Sequence, residues 1–240
     1  MNVYKINTPE ELIAGNSYVG RGIIIGKTPD AKKAVFAYFI MGRSANSRNR
    51  IFAEKENGEV IIYPHDYSKV EDPSLIIYSP VKCHENSVIV TNGDQTDTIY
   101  NFLCEGKSFE DALETREFEP DFPNLTPRIS GIMNFADGDF TYKMSILKSA
   151  DPNGTACNRY TYSYHALAGL GHFIHTYICD GNPIPTFCGE PERIEISNDI
   201  DEFADRIWNA LDEQNKISMY VRYVSLENGE VQNRMVNKNK

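Results

Sequence analysis

The chain has 240 residues, 41% of them hydrophobic and 24% charged, with 34 acidic against 24 basic side chains and a formal net charge of −10. That length can bury a sizeable core, and layered folds of this size are often single units, so residues 1–240 read as one domain. The acidic balance lacks the basic footprint of duplex nucleic-acid binding and disfavours a membrane surface. No run approaches the roughly 18 apolar residues of a spanning helix, and "MNVYKINTPEELIAG" lacks the apolar core of a signal peptide; the expectation is a soluble, cytoplasmic protein.

In chain order, "TPEELIAG" predicts a short helix with Thr8 as N-cap, Pro9 in the first turn, Glu11 completing a capping box and Gly15 closing it. Strands follow over 18–26, 34–41, 59–63, 75–81 and 87–91, each rich in Val, Ile, Tyr, Phe and Thr. "GIIIG" and "SVIVT" are continuously apolar and read as strands covered on both faces. "DTIYNFLCEGKSFEDALETRE" predicts one or two helices broken near Gly106, with Ser108 able to cap the second. Further strands are expected over 128–133, 140–147, 159–167, 171–178 and 218–224, with "NRYTYSYH" aromatic on one face and polar on the other. "SNDIDEFADRIWNALDE" carries apolar residues at 200, 203, 204, 207, 208 and 211, the spacing of an amphipathic helix. Asn228-Gly229 predicts a closing hairpin turn. Many strands with few helices indicate an α+β fold of sheet layers with helical cover.

The five cysteines, 83, 104, 157, 179 and 188, are odd in number and scattered, which predicts reduced thiols used mostly in packing. The five histidines make no metal-ligand spacing, and His172 and His175, three apart in a strand, point to opposite faces. No metal site and no cofactor are expected. Phosphate-binding loops, dinucleotide fingerprints and nucleophile elbows are absent from the sequence.

The densest positive charge lies in "AYFIMGRSANSRNRIF", residues 37–52, where Arg43, Arg48 and Arg50 alternate with Ser44, Asn46, Ser47 and Asn49. Guanidinium forks bind phosphate bidentately, and Ser and Asn add neutral donors. The plain alternative is a solvated loop. "TNGDQTDT" follows an apolar strand, and its turn into a helix start presents free N–H groups, with Asn92, Gly93 and Thr96 as ligand contacts; alternatively it is a simple turn capped by Asp97. "NLTPRISGI" holds Thr126 extended before Pro127 and puts Arg128 at a strand start. Tyr78 and Glu119 are a phenol and a carboxylate able to handle protons; the alternatives are a core tyrosine and a solvated glutamate.

Taken in order, "YVGRGIIIGKT", "GRSANSRNR", "TNGDQTDT", "TPRISGI" and "GHFIHTY…PIPTFCGEP" resemble the archaeal-type inosine monophosphate cyclohydrolase family, over about residues 18–191. The resemblance implies a four-layer αββα sandwich similar to the N-terminal-nucleophile hydrolases, with residues 1–17 as an N-terminal extension. It implies closure of a formamidoimidazole-carboxamide ribonucleotide to inosine monophosphate with loss of water, without metal, cofactor or covalent intermediate. Arg21, Ser44, Arg48 and Arg128 become candidates for phosphate and ribose. Thr126 is counted among the substrate-binding residues, and Asn92, Gly93, Thr96 and Asp97 form the base and ribose floor. Arg43 is the candidate for polarising the formyl oxygen, with Tyr78 and Glu119 as proton handlers; which of Arg43, Arg48 and Arg50 holds phosphate stays open. The partner implied is a purine ribonucleotide, with no nucleic acid and no membrane, and a homo-oligomer is left open. Two alternatives remain: an amidohydrolase that exposes a nucleophile by cleavage, for instance before Ser17, and a nucleotide-binding protein without catalysis.

Overall fold

The computed structural model describes residues 2–70 and 77–239. Its α+β architecture rests on two antiparallel sheets. The first contains β1 (Arg21–Lys27), β2 (Lys33–Met41), β10 (Leu170–His175), β11 (Glu192–Glu195), β12 (Lys216–Ser225) and β13 (Val231–Asn237), in the order β11-β10-β1-β2-β12-β13. The second contains β3 (Ile51–Glu54), β4 (Val60–Tyr63), β5 (Val81–His84), β6 (Ser87–Thr91), β7 (Arg128–Ala136), β8 (Asp139–Ser149) and β9 (Cys157–His165), in sequence order. Part of the strand expected over 75–81 lies outside the described residues; from 77 to 80 the chain is irregular before β5 begins.

Strand periodicity sorts the side chains. In β2, Ala34, Phe36, Tyr38 and Ile40 join a core shared with Val88, Val90, Ile129 and Met133 of the second sheet. The alternate residues Val35, Ala37, Phe39 and Met41 join a separate core beneath the helices α1 (Pro9–Ile13) and α5 (Ile200–Ala210). Both faces of β2 are therefore buried, which explains its unbroken apolar run. On the second sheet, Ile89, Ile132 and Leu147 face Ile99 of α3 (Gln95–Cys104) and Phe109, Ala112 and Leu113 of α4 (Phe109–Glu114). The sheets approach closely at Gly131, where an added Cβ would lie 2.6 Å from Ile25 Cδ1.

The expected caps are present. Thr8 and Glu11 form a reciprocal box on α1, and Ser108 and Asp111 do the same on α4; α5 has a cap not singled out from sequence, Asp199, which accepts from two of its N–H groups. Three features differ from the sequence expectation. A four-residue helix, α2 (Ala45–Arg48), interrupts the arginine loop; α3 begins after Asp94 rather than at Asp97; and no residue of β9 is fully buried. The cysteines are free, but Cys83, Cys104, Cys179 and Cys188 are exposed, so the packing role expected of them is corrected to a surface position. Among the described residues no helix is long and apolar enough to cross a membrane.

Candidate active site

Antiparallel pairing brings particular chain ends together. Arg21 at the start of β1 pairs with Ile40 at the end of β2, and Thr91 at the end of β6 pairs with Ser130 near the start of β7. The segments leaving these ends line a cleft of about 590 Å³, ample for a small-molecule ligand. Its walls carry Arg21, Arg50, Arg128, Tyr78 and Glu119, together with Ser44, Asn46 and Ser47 of the arginine loop, the Asn92–Asp94 turn and Pro120 and Asp121.

Arg21 and Arg50 carry the strongest electrostatic feature. Arg21 continues the β1 row of Ile23 and Ile25, and Arg50 continues the β3 row of Phe52, so both start from faces that line the inter-sheet core. The Nε atoms of both guanidinium groups are buried without a hydrogen-bond partner among the described residues. Burial disfavours the Arg21 cation, but the Glu119 carboxylate more than offsets this and its pKa is raised. Burial and the neighbouring Arg21 lower the Arg50 pKa. Both remain charged near neutrality, because a guanidinium does not deprotonate in proteins.

Glu119 and Tyr78 face this pair. Burial pushes the Glu119 carboxyl above its ordinary range despite the opposing pull of Arg21 and Arg128. Burial likewise raises the Tyr78 phenol against Arg21 and Arg50. The Tyr78 hydroxyl lies 3.1 Å from the hydroxyl of Tyr38. A raised carboxyl, a phenol and two neighbouring cations form a setting for proton movement beside developing negative charge.

The remaining expected residues divide between lining and scaffold. Ser44 lines the cleft and caps α2, accepting from Ser47 N at 3.0 Å. Asn92 also lines it, but its side chain ties β6 to β7, donating to Pro127 O at 2.9 Å and accepting from Ile129 N at 2.9 Å. Arg128 donates to Asp94 Oδ1 at 2.6 Å and Gln95 Oε1 at 2.8 Å, lying across Gly93. Partial burial pushes Asp94 up, but its hydrogen bond from Arg116 and the charge of Arg128 outweigh this and hold it below the usual carboxylate range.

Five expected residues lie outside the lining. Arg43 ion-pairs with Asp180 and covers the Tyr18 ring, and Arg48 donates to Gly42 O and Asn215. Thr96 is buried, its hydroxyl 2.6 Å from that of Thr91. Asp97 pairs with Lys82 at 2.7 Å. Thr126 binds Asp121 through its N–H at 2.6 Å, and its carbonyl accepts from Glu119 N at 2.8 Å, so it fixes the loop that carries Glu119. Of the arginine loop the cleft takes Arg50, Asn46 and Ser47 beside Ser44, and it adds Asp94, Pro120 and Asp121, which sequence reading had not singled out. For Arg50 a signal was present: it stands two residues before Phe52, on the same strand face.

A family model described as IMP cyclohydrolase-like protein matches residues 18–229. An IMP cyclohydrolase of Methanococcus aeolicus is 29% identical over 174 residues, 68% of this chain and 75% of that protein. IMP cyclohydrolases of Methanocaldococcus jannaschii and Methanosphaera stadtmanae are 31% and 33% identical over 119 and 123 residues, each alignment covering 49% of this chain. The chain spans only 57% and 58% of the length of those two relatives. With every cleft-lining side chain inside the matched span, the chain belongs to the IMP cyclohydrolase-like protein family.

Proposed function

We propose that the cleft is the active site of an IMP cyclohydrolase, closing 5-formamidoimidazole-4-carboxamide ribonucleotide to inosine monophosphate. The observation that carries this reading is the placement of two guanidinium groups, their buried Nε atoms without a partner among the described residues, with Tyr78 and Glu119 in one cleft. In the reaction the carboxamide nitrogen attacks the formyl carbon, and the formyl π electrons move to oxygen. One proton from the carboxamide nitrogen and one from the formamido nitrogen reach that oxygen, which leaves as water as the ring C=N bond forms. All atoms come from the substrate, so the protein needs to hold the reactive rotamer, stabilise the oxyanion and move protons.

Arg21 and Arg50 stabilise the oxyanion in this scheme, while Glu119 and Tyr78 carry protons between nitrogen and oxygen. Arg128 and Ser44 hold the phosphate and ribose, with Gly93 leaving room for the Arg128 guanidinium. Arg43, Arg48, Thr96, Asp97 and Thr126 act from behind, by shaping the segments that bear these groups. The fold is read as the four-layer αββα sandwich of the N-terminal-nucleophile hydrolase kind, supported by one core between the sheets and a helix-covered core on each outer face. Residues 1–240 then make one unit, and free thiols fit a reducing cytoplasm. Ser17, the nucleophile that the amidohydrolase alternative would expose, is not among the lining residues.

The test is an ultraviolet assay of ring closure with purified protein and the formylated ribonucleotide. Turnover well above the spontaneous rate is expected. Binding of the product without turnover would replace catalysis by nucleotide binding alone.

A further inference from the structure

Tyr38 stands in the row of β2 side chains that faces the second sheet, fully buried, its ring stacked on Phe52 at a centroid distance of 5.6 Å. It does not line the cleft. Among the described residues its hydroxyl has one partner, the Tyr78 hydroxyl 3.1 Å away, which does belong to the cleft wall. Each phenol has one proton to give, and a buried hydroxyl that leaves its proton unpaired is costly. If Tyr78 donated to Tyr38, the Tyr38 proton would be left inside an apolar core. The reverse polarity satisfies Tyr38 and leaves the Tyr78 proton free for the cleft.

We propose that Tyr38 is a positioning residue of the site: its hydroxyl donates to Tyr78 and thereby fixes Tyr78 as a hydrogen-bond donor aimed at the bound substrate. This rests on the ring-closing reading of the cleft. Arg21 from β1, Arg50 from the segment before β3 and Glu119 from the segment before β7 are the charged groups around Tyr78. The same cations act on Tyr38, whose ionisation burial opposes strongly. Tyr38 therefore stays a neutral donor, and Tyr78 is the phenol exposed to substrate.

Tyr38→Phe keeps the ring and its stack and removes only the oxygen. Its expected effect is a fall in kcat of about tenfold, the scale of one hydrogen bond, with KM changed less than twofold. In a Tyr78→Phe background the same change should have no further effect. An unchanged kcat, or an equal loss in both backgrounds, overturns the proposal. A second readout does not need turnover: the 13Cζ resonance of Tyr78, assigned by its loss in Tyr78→Phe, should titrate at higher pH in Tyr38→Phe. An unmoved titration overturns the assigned polarity even if the wild type closes no ring, whereas a silent wild type with a shifted titration overturns only the catalytic reading. Should Tyr38→Phe fail to fold, Tyr78→Phe carries the test, since the Tyr38 13Cζ resonance should move when its acceptor is lost and an unmoved one contradicts the bond.

Discussion

Arg21 and Arg50 keep two positive charges side by side where burial disfavours both, with Glu119 as the nearest counter-charge. Such an arrangement is stabilised when an anion enters between them, which is the condition for oxyanion stabilisation. Arg50→Ala is therefore expected to lower kcat by about 10²- to 10³-fold in a steady-state ring-closure assay. Arg43→Ala should cost less, because that side chain is half-exposed and engaged with Asp180 and Tyr18. Glu119 yields a pH prediction. Its raised pKa means that acid inactivation begins at a higher pH than for an ordinary carboxylate, as the base form is lost. Glu119→Gln should abolish that acid limb as well as most of the rate, and a limb that survives in the variant would contradict the role. Tyr78, Glu119, Arg21 and Arg128 could be picked out from their residue types and the order of motifs. Choosing among the three loop arginines required the strand face of Arg50, and β3 is too short, at four residues, for its alternation to stand out.

The turn between β6 and α3 is built around a missing side chain. A Cβ on Gly93 would lie 2.6 Å from both Arg128 Nη1 and Gln95 Oε1, so Gly93→Ala should displace Arg128. The expected result is a KM raised about tenfold or more, on the scale of a lost charged hydrogen bond, with a small change in melting temperature. Elsewhere the caps govern stability without touching the cleft. Ser108→Ala removes the reciprocal box of α4 and should cost about 1 kcal/mol in denaturant unfolding with unchanged turnover. The caps at Thr8 and Ser108 were legible because their signature is local. The four-residue α2 was not: Ser44 and Ser47 satisfy each other across one turn, a pairing without the acidic partner that usually marks a box. The partial cover of β9 was hidden for a different reason. As an edge strand it pairs on one side only, so Tyr162 and Tyr164 are half-buried and Tyr160 is exposed where an inner strand would be covered.

At the scale of the molecule, the unbroken apolar runs of β1 and β6 predicted strands buried on both faces, and the cores bear this out: Ile23, Ile25, Val88 and Val90 lie between the sheets, while Ile24 and Ile89 face the helices. Strand order could not be read, because it depends on pairings between segments as distant as β2 and β12. The inter-sheet region also contains a buried pH-sensitive pair. His172 Nδ1 lies 2.7 Å from the Tyr142 hydroxyl, its ring stacks on Tyr164, and burial, with Arg193 nearby, lowers its pKa to about 4. The folded state thus binds fewer protons here than the unfolded chain, so stability is full above about pH 6.5 and falls as pH drops towards 4. His172→Phe should remove that loss, on the order of 2 kcal/mol, in urea unfolding measured across the window. The window lies above that of Glu10, whose carboxyl is held down to about 2 chiefly by its hydrogen bond from Arg206.

The inter-sheet space has another cavity at its far end, about 410 Å³ and lined by the turns at Glu85–Asn86 and Asp137–Gly138. The central claim, that the arginine-lined end receives the nucleotide, is tested most directly by a crystal structure with inosine monophosphate bound. The purine is expected between Arg21, Arg50, Tyr78 and Glu119, with the phosphate towards Arg128. Nucleotide density confined to the far cavity or to an outer surface would contradict it.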